Sequence, residues 1–170
     1  MKMYITSGTF DYLRTIMKKN ENQHLLLLQG GSSAVLLQES EGKSIFKEPR
    51  KYEIIDAFEE LQPNGFIAMN NIPVIEEDRT LFEHNSKERL QKARHQEGFL
   101  SGRLLQPLGS EIYIILTQWQ DESAFNAWQS NEKFFEESQH ETPSALVNPQ
   151  SLFTGKATLN KYYVTFDDEE

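Results

Sequence analysis

The chain has 170 residues, with 26 acidic against 17 basic residues and a formal net charge of −9 at pH 7. This length allows one domain with a substantial core, or two tightly fused small halves. The negative charge argues against a nucleic-acid partner, because binding to phosphate backbones needs clustered lysine and arginine.

The chain contains no cysteine, which excludes disulfides, thiolate nucleophiles and cysteine-ligated metals and suits a reducing compartment. Its N-terminal segment lacks the apolar core of roughly 7–15 residues that a signal peptide needs. The longest apolar runs, such as Leu25 to Leu28, are too short to span a bilayer. These features predict a soluble cytoplasmic protein without a membrane partner.

Residues 1–64 are predicted to form a small α+β unit. A strand over residues 3–7 leads to Thr9, which can cap a helix. Strands over residues 24–29 and 34–38 then form a hairpin. The apolar positions of the helix recur at helical spacing and are Phe10, Leu13, Ile16 and Met17.

The end of this first unit is predicted as a short strand followed by a helix. The strand covers residues 44–47 and lies just before Pro49. The helix is predicted from the spacing of Tyr52, Ile55 and Phe58, which recur every third residue. The first half would then have an arrangement of strands and helices similar to that of the second half.

Residues 65–170 follow the order β-α-β-β-α-β, which is the split βαβ pattern of a ferredoxin-like fold. The predicted elements are a strand over 66–74, a helix over 78–94, strands over 99–105 and 111–119, a helix over 121–137 and a strand over 161–166. The strand over 111–119 is apolar on both alternating faces, so both faces of its sheet should be covered. The covering sheet would come from the first half or from a second chain.

The most specific stretch covers residues 118–130 and reads QWQDESAFNAWQS, preceded by Glu97-Gly98-Phe99. It resembles the antibiotic-biosynthesis-monooxygenase superfamily, and within it the heme-degrading monooxygenases of Gram-positive bacteria. The segments Tyr4 to Thr9 and Phe66 to Ile72 extend the likeness over nearly the whole chain. A two-part Bacillus type of heme monooxygenase and a staphylococcal signalling protein have a similar layout.

The resemblance implies a dimeric α+β barrel in which heme is both substrate and cofactor and an electron donor is required. The family's catalytic asparagine corresponds to Asn70, and its porphyrin-ruffling tryptophan corresponds to Trp128. The family's iron-binding histidine corresponds to Ser138, a poor axial ligand beside imidazole. The dimer would be a homodimer, or the first half would take the partner's place in a pseudo-dimeric monomer.

A substitute iron ligand is available in His140. On one continuous helix, Phe125, Trp128 and Phe135 share a face that would line the cofactor, and Ser138 lies near it. His140 lies roughly 200° around the helix from Ser138 at about 100° per residue, so it would reach the iron only if the helix ends or kinks. The resemblance therefore leaves the ligand open.

Each of these residues also has a structural interpretation. Trp128 can be a core residue, and Trp119 is expected to pack at the end of its strand. Asn70 and Asn71 point to opposite faces of a strand, so only one can enter a pocket, and both can make local hydrogen bonds. Three hypotheses follow: a heme-degrading monooxygenase, a heme-binding or signalling protein without the axial histidine, and a cofactor-free monooxygenase acting on an aromatic substrate.

Overall fold

The structure, a computed structural model, describes residues 1–130 and 157–165. The strands in this part of the chain form one closed antiparallel barrel in the order β1-β3-β2-β8-β5-β7-β6-β4. They are β1 (Lys2–Gly8), β2 (His24–Gln29), β3 (Ala34–Ser40), β4 (Arg50–Phe58), β5 (Phe66–Pro73), β6 (Phe99–Leu108), β7 (Ile112–Trp119) and β8 (Thr158–Val164).

Helices cover the outside of this barrel. They are α1 (Phe10–Lys19), α2 (Arg79–Ala93) and α3, which is helical over residues 122–130. The predicted cap of α1 is confirmed, because the backbone N–H of Tyr12 donates to Oγ1 of Thr9 at 3.2 Å. Of the described helices, none is long and apolar enough to cross a bilayer.

The two halves of the chain have the same strand order. The first half runs β4-β1-β3-β2, and the second runs β8-β5-β7-β6, which is the predicted ferredoxin-like arrangement. The halves join where β2 pairs with β8 and where β4 pairs with β6. The first half thus supplies the strands that the second half needs to close its sheet, and the proposed division between residues 64 and 65 falls in the link from β4 to β5.

The prediction for the end of the first half is wrong. Residues 44–47 form no strand, and the predicted helix is β4, which pairs with both β1 and β6. The register of β4 against β6 shifts between Ile54 and Asp56, so Ile55 is an extra residue in a β-bulge. Ile54 packs in the barrel, whereas Ile55 and Phe58 both pack outside it. In a regular strand, residues three positions apart would lie on opposite faces, so the bulge interrupts the alternation. The spacing of three residues between Ile55 and Phe58 on one face resembles the spacing of a helix.

The barrel interior and the space under the helices hold separate apolar clusters. Side chains from both halves fill the interior, among them Met3, Leu37, Met69 and Leu116. Outside, α1 packs on β2 and β3, α2 packs on β6 and β7, and α3 packs on β5 and β7. Strand β7 is therefore covered on both faces as expected, by strands of the same chain across the barrel on one side and by helices on the other.

Candidate functional site

The residues that the resemblance marks in the described part of the chain, Asn70 and Trp128, lie on β5 and on α3. Along β5, Ile67 and Met69 pack in the barrel interior, whereas Phe66 and Ala68 pack against the helices. Because side chains alternate along a strand, Asn70 continues the helix-covered face. Its side chain is partly buried. Asn70 is thus a polar residue on a largely apolar surface.

Asn71 belongs to the opposite face and makes cross-strand hydrogen bonds. Its Nδ2 donates to Oδ1 of Asn160 at 2.7 Å and to Oγ1 of Thr158 at 3.3 Å, both on β8. The two asparagines therefore point apart, as the sequence predicts for neighbours on a strand. Asn71 has the local role that its sequence also allows, which makes it a natural reference for Asn70.

An aromatic cluster holds α3 on the barrel. The ring centroid of Trp128 lies 5.4 Å from that of Trp119 and 6.2 Å from that of Phe125. The ring centroid of Phe125 in turn lies 5.5 Å from that of Phe66 on β5. Trp128 is only 5% exposed and Trp119 is fully buried. The structure thus brings Phe125 and Trp128 together, as the helical spacing predicts, and adds Trp119 as their packing partner.

Buried polar atoms lie unpaired at this cluster. Among the described residues, Nε1 of Trp128, Nε1 of Trp119 and Oγ1 of Thr117 are buried without a hydrogen-bond partner. Leaving such a group unpaired costs about 1–3 kcal/mol. Thr117 pairs in register with Ala68, so its hydroxyl belongs to the same outer face. Sequence reasoning missed Thr117, although a polar residue at an outward position of an apolar strand was the available signal.

The predicted iron ligands lie outside the described residues, since Phe135, Ser138 and His140 all fall between residues 131 and 156. The histidines of the described part, His24, His84 and His95, are exposed at the surface, and none of them is a member of the aromatic cluster. In residues 1–130 and 157–165, no group of three or more histidine, aspartate or glutamate side chains is placed to hold a metal ion.

A second polar group lies under the start of α2. The Tyr113 hydroxyl and Nε2 of Gln106 both donate to Oε2 of Glu83, the latter at 2.7 Å, and the Arg79 guanidinium lies 5.4 Å from the centre of the Tyr113 ring. Burial and the hydrogen bond to Glu83 raise the pKa of Tyr113 to about 12. Tyr113 therefore stays protonated at neutral pH and acts as a hydrogen-bond donor.

The residues at the outer face fit part of a heme pocket. Aromatic and aliphatic walls suit the flat apolar face of a porphyrin, and a few polar groups serve to orient a ligand. Nε1 of Trp128 and Oγ1 of Thr117 are buried donors without a partner among the described residues. The described residues do not supply a ligand for the heme iron.

Residues 65–136 match the family model of antibiotic biosynthesis monooxygenase. The resemblance inferred from the sequence is thus confirmed, and this part of the chain is a domain of that family. The Signal transduction protein TRAP of Staphylococcus epidermidis is 29% identical over 136 residues, covering 80% of this chain and 81% of TRAP. The Heme-degrading monooxygenase of Listeria monocytogenes is 25% identical over 130 residues, covering 76% of this chain and 78% of that protein.

Solved structures share the fold over nearly the whole chain. A major regulator of staphylococcal pathogenesis has a TM-score of 0.82 at 24% identity, covering 98% of this chain and all of the regulator (100%). The Listeria monocytogenes heme-degrading enzyme LmHde has a TM-score of 0.74 at 22% identity, covering 97% of this chain and 100% of LmHde. These likenesses establish the fold for the full barrel, including its first half.

Proposed function

We propose that the protein is a heme-degrading monooxygenase that binds heme on the outer face of β5 and β7, beneath α2 and α3. The observation that carries the proposal is the position of Asn70 on the face where Trp128 holds a buried, unpaired N–H group. The heme-degrading relative from Listeria monocytogenes supports the same chemistry. When bound, heme would supply oxygen activation, and an external donor would supply electrons.

The residues of the chain would bind and orient rather than react. The Asn70 amide would donate a hydrogen bond to a ligand held over the apolar face, where few other polar groups compete. Trp128 would press its ring against the porphyrin from α3, backed by Trp119 at a centroid distance of 5.4 Å. Phe125 would extend the apolar wall and exclude water. His140, or Ser138 at the family position, would face the iron.

Hemin titration of the purified apo-protein tests the proposal. We expect a Soret shift that saturates at one heme per chain, followed by loss of the Soret band when ascorbate is added in air. Asn70→Ala should slow this loss, because the variant removes the amide and leaves the apolar wall intact. Asn71→Ala is the matched control, since its side chain bonds to Asn160 and Thr158 on the other face. Equal loss of turnover in both variants would contradict the assignment of Asn70.

Trp128→Phe separates the indole N–H from apolar packing. Phenylalanine retains an aromatic ring beside Trp119 but removes the unpaired donor. We expect slower heme turnover in this variant with a modest fall in the thermal midpoint, because the smaller ring leaves a void in the aromatic cluster while the lost N–H has no partner among the described residues. A large drop in the midpoint with unchanged turnover would make Trp128 a core residue alone.

The iron ligand is tested by two further variants. Ser138→His restores the family pattern and should tighten heme binding if Ser138 faces the iron. His140→Ala should abolish binding if His140 is the ligand, whereas His84→Ala, at an exposed position on α2, should leave it unchanged. Binding that survives both His140→Ala and a change at Ser138 would exclude both positions.

A second candidate function is a signalling or binding protein that keeps the barrel without heme chemistry. The specific observations in its favour are the 29% identity to TRAP and the serine at the position of the family histidine. This candidate predicts that the Soret band is not lost when ascorbate is added, and that no saturable Soret shift occurs at all if the barrel binds no heme. The hemin titration with ascorbate therefore decides between the two functions.

A further inference from the structure

A cavity of about 760 Å³ opens at one mouth of the barrel. It lies apart from the outer face of β5 and β7, because its walls include Leu26, Leu37 and Ile54, which pack with the barrel interior. Strands β2, β3 and β4 supply these side chains, so the first half of the chain forms most of the cavity. Its volume lies within the roughly 300–1,000 Å³ typical of small-molecule sites.

A buried ion pair crosses the barrel at this cavity. Nε of Arg103 on β6 lies 2.7 Å from Oε2 of Glu39 on β3, and their side chains are 6% and 17% exposed. Nη1 of Arg103 also donates to the carbonyl oxygens of Glu59 and Gly102, both at 2.7 Å. The guanidinium is thus held by a carboxylate and by backbone carbonyls, so it is poorly placed to attract a further anion.

Apart from the ion pair, the charged groups around the cavity are two carboxylates and the N-terminal ammonium group of Met1, which is itself paired with Glu53 at 3.4 Å. Glu41 and Glu60 are exposed residues that line it together with the ion pair. The lining residues carry three carboxylates against one guanidinium and one N-terminal ammonium group, a net charge of −1 with the histidine in the wall taken as neutral. Leu61 adds to the aliphatic wall formed by the strands. The cavity therefore combines an apolar interior with an acidic rim.

We propose that this barrel-mouth cavity is a second ligand site, which binds an amphipathic organic cation. The apolar body of the ligand would replace water along Leu26, Leu37 and Ile54, with a favourable transfer free energy proportional to the apolar area that is buried. Its ammonium group would lie near Glu41 and Glu60, where attraction to the two carboxylates is only partly screened. The proposal is independent of heme binding on the outer face.

Calorimetric titration of the full chain with decyltrimethylammonium, below its micelle concentration, tests this site. We expect saturable binding of one cation per chain, and weaker or no binding of decanoate, which has an apolar chain of similar length and the opposite charge. Glu60→Gln should weaken binding of the cation about fivefold, because one of the attracting charges is removed. Stronger binding of decanoate than of the cation would overturn the proposal and assign the cavity to anions.

Two more variants keep the test specific. Leu61→Trp should abolish binding by filling the cavity while retaining the rim charges. Glu76→Gln, in the short 3-10 turn before α2, removes an equal charge away from the cavity and should have no effect. If Glu76→Gln also weakens binding of the cation fivefold, the effect of Glu60→Gln comes from net charge alone and the proposed site is wrong. Saturating hemin should not displace the cation. A failure of heme binding and a failure of cation binding can therefore be observed separately.

Discussion

Arg103 is a buried cation whose bonds join distant parts of the chain. It pairs with Glu39 at 2.7 Å and donates to the carbonyls of Glu59 and Gly102. Arg103→Met removes the cation and leaves a largely buried carboxylate and the carbonyls without their partner. We expect the free energy of unfolding to fall by about 3–5 kcal/mol, measured by urea denaturation.

A second variant distinguishes the lost charge from lost packing at this pair. Arg103→Met combined with Glu39→Leu removes both charges, and it should recover much of the stability because a buried ion pair can be replaced by apolar side chains. Lys2→Met, at an exposed pair with Glu53, should change the free energy of unfolding by less than about 1 kcal/mol. A double variant no more stable than Arg103→Met would show that the carbonyl contacts dominate.

Tyr113 makes the stability of the protein depend on alkaline pH. Burial and the bond to Glu83 raise its pKa from 10.0 to about 12 in the folded state. Between these values the unfolded chain loses the tyrosine proton while the folded chain keeps it, so stability falls as pH rises. The contribution of Tyr113 is therefore complete below pH 10 and is lost by about pH 12.

Tyr113→Phe should remove this part of the pH dependence. Urea midpoints measured across the alkaline range should fall less steeply with pH in the variant than in the native protein. Other tyrosines, such as Tyr52 and Tyr162, also have raised pKa values, but their effects are common to both proteins and cancel in the comparison. Tyr12→Phe, at a side chain that is 61% exposed, is the control. Parallel curves for Tyr113→Phe and the native protein would contradict the assignment.

At the scale of elements, Gly98 determines how closely α3 approaches the start of β6. Its φ is +90°, and a Cβ at this position would lie 2.5 Å from Cβ of Ala124 on α3. Gly98→Ala therefore combines backbone strain with a steric clash, and we expect a loss of about 1–3 kcal/mol in the free energy of unfolding. Ala124→Gly in the same chain should recover the steric part only.

Two other glycines serve as references for this prediction. A Cβ at Gly65 would lie 2.5 Å from the carbonyl oxygen of Trp119, so the clash there is with backbone and no side-chain change can relieve it. Gly31 has no atom within 4 Å of such a Cβ, so Gly31→Ala should be nearly neutral. Equal thermal midpoints for Gly98→Ala and Gly31→Ala would show that α3 adjusts freely.

Elements with a clear period could be predicted from the sequence, and those with a local irregularity could not. The helix α1 and the hairpin of β2 and β3 follow regular patterns with recognisable cap and turn residues, and both predictions are confirmed. Strand β4 was predicted as a helix because its bulge at Ile55 changes which face the following residues occupy. Short-range spacing cannot distinguish this case from a helix, since the pairing partners of β4 lie far away in the chain.

The candidate sites also differ in whether a local sequence pattern indicates them. Asn70 and Trp128 were proposed because the resemblance marks them, and the helical spacing correctly brought Phe125 beside Trp128. The barrel-mouth cavity was not found, because Arg103 and Glu39 are 64 residues apart and only barrel closure brings them together. No local pattern in either strand indicates the partner.

At the scale of the whole molecule, one chain closes the barrel that two chains would otherwise form. Both halves have the same strand order, and β2 with β8 and β4 with β6 pair the edges that each half would leave open. A fully closed sheet has no edge strand to template pairing with another molecule. We therefore propose that the first half takes the place of a second subunit, which favours the pseudo-dimeric monomer over the homodimer.

We accordingly expect a monomer of 19.7 kDa in sedimentation equilibrium at all accessible concentrations. We expect the join of β2 to β8 to open more easily, since within residues 1–130 and 157–165 only Leu28 with Val164 and Gln29 with Tyr163 are in register there. Val164→Asp places a carboxylate at a position that is 8% exposed and should open this join, so that freed edges pair between molecules and larger species form. Tyr163→Ser, at the exposed neighbouring position, should remain monomeric. A reversible dimer of the native protein would mean that a surface other than a strand edge mediates association.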